Sequence, residues 1–301
     1  MPAPSRRVVR LSLVALVLAV TAATAWPHST SSRHATTTSY DAYGLRGHPS
    51  PAQQRDAVSA YRRYRTFVIS AAQAFTADSA GLCHAGLSGN INDARRFWRA
   101  AQMDYDRLRA RISDRSSTEL TIDGLLATQP VTVGRQGLHA IEEDLFGSTR
   151  SQLAADCEVL SRDGLGLTFG LSHTVATPSR IALDANSLLT WMVQRVIAQP
   201  QEVVARTQAT DTDAVVHAVA AWWTYDRPLI MSLDPSFAPT MDSAIAQLEL
   251  DQAAIGGPDT PDAMVAPRQW SRLAQDSVHV ASLFTRVASK LYGFGAGRTY
   301  A

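Results

Sequence analysis

His139 and Glu142 stand three residues apart within Gly137-Leu138-His139-Ala140-Ile141-Glu142-Glu143-Asp144-Leu145-Phe146. An imidazole and a carboxylate one helical turn apart can grip one divalent ion, provided that other ligands come from elsewhere in the fold. The same spacing serves equally for an ion pair that only orients its own helix. Glu143, four residues after His139, is an alternative to Glu142. Peptidase chemistry of the zincin type needs H-E-x-x-H or its inverse, H-x-x-E-H. Position 143 is glutamate, so the pattern stops at His139-x-x-Glu142. Gly170-Leu171-Ser172-His173 lacks the G-x-S-x-G elbow of a serine nucleophile. These residues favour ion binding over catalysis.

The decapeptide must itself be positioned. Leu138, Ile141 and Leu145 recur at helical spacing and predict a short amphipathic helix. Upstream, Ser50 and Pro51 read as an N-cap and first helical residue, and Val58, Tyr61, Tyr64, Val68, Ala71 and Phe75 trace one face. Gly81 to Gly89 is expected to be a turn carrying Cys83. From about Asn90, Ala94, Phe97, Ala101, Tyr105, Leu108 and Ile112 keep a 3-4 period, so the two segments predict a helical hairpin. Ser113 to Gly134 has no clear period. Downstream, a helix is expected through about Ser161, then a loop at Gly164, Gly166 and Gly170. Thr177-Pro178 opens a long helix through Met192 and Ile197 that Pro200 interrupts. Asp211 to Ile230, Thr240 to Ile255 and Pro267 to Leu291 read as further helices, the first kinked or ended by Pro228. The Trp222-Trp223 pair suits a core position better than a ligand platform. No strand pattern is found, and the fold class is all-α, an antiparallel helical bundle.

Composition agrees. Among 301 residues the formal net charge is +1, which argues against a nucleic-acid partner. Alanine, leucine and arginine are abundant and lysine is nearly absent, a helix-favouring balance. The first 25 residues read as an export signal: a basic stretch from Ser5 to Arg10, an apolar run from Leu11 to Val20, and Ala23-Thr24-Ala25 as the cleavage site before Trp26. The alternative is an uncleaved anchor. Residues 26–50, rich in Ser, Thr and His, predict a disordered linker, leaving 51–295 as the helical domain. In an exported chain Cys83 and Cys157 are expected to form a disulfide. A metal site built on Cys83-His84 is the other reading.

Two stretches carry a family resemblance. Gly137-Leu138-His139-Ala140-Ile141-Glu142 followed by Leu145-Phe146 resembles the G-x-H-x-x-E signature of the imelysin/EfeO family. Ala85-Gly86-Leu87-Ser88-Gly89-Asn90, then Ala94 to Ala101, then Tyr105-Asp106-Arg107-Leu108 looks like that family's A-G-D, A…Y..A-R and Y-E-R-I-E pattern, in the same order. The resemblance is to members without a cupredoxin domain, the EfeM type. It implies two four-helix-bundle-like halves packed as one domain, with the metal motif in the cleft between them. It also implies an extracytoplasmic protein that holds an ion and passes it to an iron permease of the membrane. The ion would be iron, with zinc or manganese as alternatives. Asp106 takes the place of the family's glutamate in Y-E-R-I-E, and Glu202 stands where the family has a G-E-E segment. With Asp156, on the helix after the motif, the expected ligand set is His139, Glu142, Asp106, Asp156 and Glu202. The rival readings are an imelysin-like cell-envelope metallopeptidase and a non-catalytic helical module that binds a polymer or partner.

Overall fold

A computed structural model describes residues 49–112, 122–123, 137–147, 153–173, 176–198, 208–257 and 260–291. Every regular element among them is helical. The α-helices are α1 (Pro51–Leu87), α2 (Ile91–Ile112), α3 (Gly137–Phe146), α4 (Leu153–Ser172), α5 (Pro178–Trp191), α6 (Gln208–Leu233), α7 (Ala238–Ile255) and α8 (Pro267–Leu291). A π-helical segment, Met192–Ile197, continues α5, and a short 3-10 turn, Asp262–Met264, precedes α8.

The predicted caps form. Ser50 and Gln53 make a reciprocal capping box ahead of Pro51. The Thr177 hydroxyl accepts from the Arg180 N–H ahead of Pro178. Glycine, by contrast, misleads twice. Gly81 to Gly89 is not a turn around Cys83, because α1 runs on to Leu87 and only Ser88 to Asn90 reverse the chain. Nor do Gly164, Gly166 and Gly170 make a loop, since α4 passes through all three to Ser172. The reason is contact. A Cβ added at Gly86 would meet Leu153 at 2.9 Å, and one at Gly164 would meet the Phe75 ring at 3.3 Å. At these positions glycine lets helices approach closely, and the burial gained outweighs its poor helix propensity. Pro228 likewise does not end α6, which extends to Leu233.

Helices α1 to α4 pack on one another, α1 against α2 and α4, and α3 against α2 and α4. Helices α5 to α8 form a second group, with α8 against α5 and α7. Helix α6 touches α1 and α2 as well as α5 and α7, so one hydrophobic core runs through both groups. Trp222 and Trp223 are buried in it, with Tyr64 and Phe67 edge-on to Trp222. Cys83 on α1 and Cys157 on α4 form a disulfide, with Cα atoms 5.5 Å apart. The Cys83-His84 metal reading is therefore set aside, because a thiolate is required for it. Phe97, expected on the buried stripe of α2, is only partly covered, and its neighbour Trp98 takes the core position.

Candidate functional site

Helix α3 has ten residues, a length that is marginal in isolation. Helix α2 holds it at both ends. The Trp98 indole N–H donates to the Leu138 carbonyl at 2.8 Å, near the start. Arg95 donates through Nε and Nη2 to the Leu145 carbonyl at 3.0 and 2.8 Å, near the finish. Its guanidinium also lies 4.9 Å from the Phe146 ring, which packs edge-on against Trp98. Gly137 opens the helix with φ of 60°, a left-handed conformation that a side chain would strain. The apolar stripe Leu138, Ile141 and Leu145 is fully buried. His139 and Glu142 lie off that stripe, with His139 beside Asp123.

His139 Nδ1 and Glu142 Oε2 are 3.1 Å apart, and His139 Nε2 lies 3.6 Å from Asp123 Oδ1. Glu142, not Glu143, is thus the carboxylate paired with His139. Helix α2 contributes Gln102, Asp106 and Arg109, one turn apart on a single face. Gln102 Nε2 donates to both Asp106 oxygens, at 3.2 and 3.3 Å. Arg109 donates to Asp106 Oδ1 through Nε and Nη2, at 3.2 and 3.0 Å, and to both oxygens of Asp123, at 2.8 and 3.0 Å. Asp211, in the first turn of α6, lies within hydrogen-bonding reach of Asp106 and within electrostatic reach of Glu142. Four carboxyl groups, one imidazole and one guanidinium therefore meet where α2, α3 and α6 converge.

Their charges are set by burial and by one another. Burial raises Asp211 well above the usual carboxylate range, and the nearby charge of Asp106 raises it further. Asp106 is itself raised by burial, against the pull of Arg109. For Asp123 burial acts upward, but the charges of Arg109 and His139 outweigh it and its carboxyl is lowered. Burial would lower His139, yet the Glu142 hydrogen bond and the charges of Asp123 and Glu142 raise it overall. The cluster sets four carboxyl groups against one guanidinium, one imidazole and one amide, and its oxygen and nitrogen atoms are of the kinds that a hard or borderline cation takes. Among the described residues, no three His, Cys, Asp or Glu side chains are close enough to chelate one ion as they stand.

Of the expected ligands, the structure brings His139, Glu142 and Asp106 into this cluster. Asp156 is half-buried on α4, where its neighbouring carboxylate is Asp144. Glu202 lies outside the described residues. Gln102, Arg109, Asp123 and Asp211 escaped the sequence reading. Gln102, Asp106 and Arg109 recur at i, i+4 and i+7 beside the buried stripe of α2, but the helix carries so many other charged residues that this spacing did not single them out. Asp123 and Asp211 carried no signal, because nothing local distinguishes them from surface aspartates. No protein-family model matches the chain, and no curated protein resembles it at a significant level.

Proposed function

We propose that the protein is an extracytoplasmic metal-binding protein, with the ion held by His139, Glu142 and the carboxylates around them. Iron is the expected cargo, with delivery to a membrane permease as in EfeO-like uptake. The observation that carries the reading is the hydrogen-bonded His139–Glu142 pair beside Asp106, Asp123 and Asp211, away from bulk solvent. A buried excess of acceptors is costly unless a cation or protons neutralise it. The G-x-H-x-x-E resemblance adds iron and transport to this reading, and the export signal expected from the first 25 residues adds the compartment.

The test is calorimetric titration of the purified protein with ferrous ion under anaerobic conditions, and with zinc and manganese, beside the His139→Ala and Glu142→Ala variants. Stoichiometric binding that both substitutions abolish supports the reading. A wild-type protein that binds none of the three ions, or variants that bind as well as wild type, would overturn it.

A further inference from the structure

Helices α7 and α8 pack against one another and leave a cavity of about 330 Å³ between them. Thr240, Ser243, Ala244 and Gln247 form its α7 wall, spaced as one helical face. Asp276 and His279 form its α8 wall. Asp251 follows one turn after Gln247 on α7 and is 7% exposed. Gln247 donates to its Oδ1 at 3.3 Å. Its Oδ2 is buried with no donor among the described residues. Half-buried Asp276 lies across the helix interface, within hydrogen-bonding reach of Asp251.

Two carboxyl groups this close have two states. They share a proton, one donating to the other, or they face one another as like charges. Little else balances them. The charges that act on Asp276 are those of Asp251 and of Arg272, one turn before it on α8, and the pull of Arg272 is the weakest influence there. Arg272 and His279 both stand exposed on α8. Helix α6 packs on both α7 and α8, and α5 packs on α8. Among the described residues neither brings a further charge to this carboxyl. Burial, the hydrogen bond and the charge of Asp251 together push Asp276 up to about 6.

We infer that Asp251 and Asp276 form a proton-operated latch between α7 and α8: a shared proton ties the helices together, and its loss sets two carboxylates face to face and parts the helices along the cavity. The proton passes to solvent, and the pair goes from one negative charge to two. The folded protein holds the Asp276 proton more firmly than the unfolded chain does. The stability that the latch contributes is therefore whole below the unfolded carboxylate value and lost as pH rises through about 6. This device stands apart from α3 and does not depend on the metal-binding reading.

The test compares wild type with Asp276→Asn, whose amide donates to Asp251 at any pH. Urea midpoints are measured between about pH 4 and about pH 8. The variant should have the higher midpoint at the alkaline end, and the difference should vanish toward the acid end. Spin labels on Ala246→Cys and Gln275→Cys, both at exposed positions, read the separation of the two helices. That distance should lengthen as pH rises through about 6 and stay constant when Asp276→Asn is added. Midpoint curves that run parallel overturn the latch, and so does a wild-type distance that does not change. Should Asp276→Asn fail to fold, Asp251→Asn places the same amide on the other helix and is held to the same outcomes.

Discussion

At the scale of single residues, two fully buried acids behave in opposite ways. Glu142 is fully buried and paired with His139. Its replacement by alanine leaves the largely buried His139 without its hydrogen-bonded carboxylate and is expected to cost about 3 kcal/mol, read by urea denaturation. The pair also sets a pH dependence. The folded state holds the His139 proton more firmly than the unfolded chain does. Its contribution is therefore whole below the ordinary histidine range and is lost as pH rises through the folded value. The stability difference between wild type and His139→Gln should therefore shrink as pH rises above the ordinary histidine range. Asp226, on α6, is the converse case. Among the described residues neither of its buried oxygens has a hydrogen-bond partner, and burial raises it well above the usual range. As pH climbs past the unfolded carboxylate value, holding it neutral costs increasing stability. Asp226→Leu should stabilise the protein at neutral pH by about 1–3 kcal/mol, seen as a higher urea midpoint, with a smaller gain in acid.

At the scale of elements, α3 is a short helix made rigid by its neighbour. Its start depends on the positive φ of Gly137, and its two ends on Trp98 and Arg95. Gly137→Ala should destabilise by about 1 kcal/mol in thermal melts, and should weaken metal binding through displacement of His139 without touching any ligand. The glycine of the G-x-H-x-x-E pattern thus has a backbone reason to be there. Helix α2 is the scaffold of the site: it carries Gln102, Asp106 and Arg109 toward the cluster while its Trp98 and Arg95 hold α3. Glycines within α1 and α4 do comparable positioning work, since their missing side chains let these helices lie close enough for the disulfide.

At the scale of the whole molecule, α6 spans the two helical groups and places Asp211 against residues from the first. The Asp184 network ties α1, α2 and α5 together. The Cys83–Cys157 disulfide closes a separation of 74 residues. That loop contains α2 and α3, and so most of the site. Opening it by Cys83→Ser with Cys157→Ser should cost about 4 kcal/mol in the chain-entropy model, read as a lower urea midpoint that matches wild type in reductant. Among the described residues no helix is long and apolar enough to cross a membrane.

The sequence by itself determined the helical class, the capped starts at Ser50 and Thr177, the amphipathic run of α3 and the pairing of the two cysteines. These depend on local periodicity, on hydrogen bonds between near neighbours, or on there being just two candidates. It also singled out His139 with Glu142, because both lie within one helical turn. Only the tertiary structure decided that Gly86 and Gly164 are close-packing points rather than breaks, since that follows from Leu153 and Phe75 arriving from distant segments. Only it decided that Asp106 faces the motif, and that Asp123, Asp211 and Arg109 join it. The physical reason is the same in each case. A carboxylate on a helix face carries no mark of its future neighbours, and its charge state and partners exist only once α2, α3 and α6 have closed around one another.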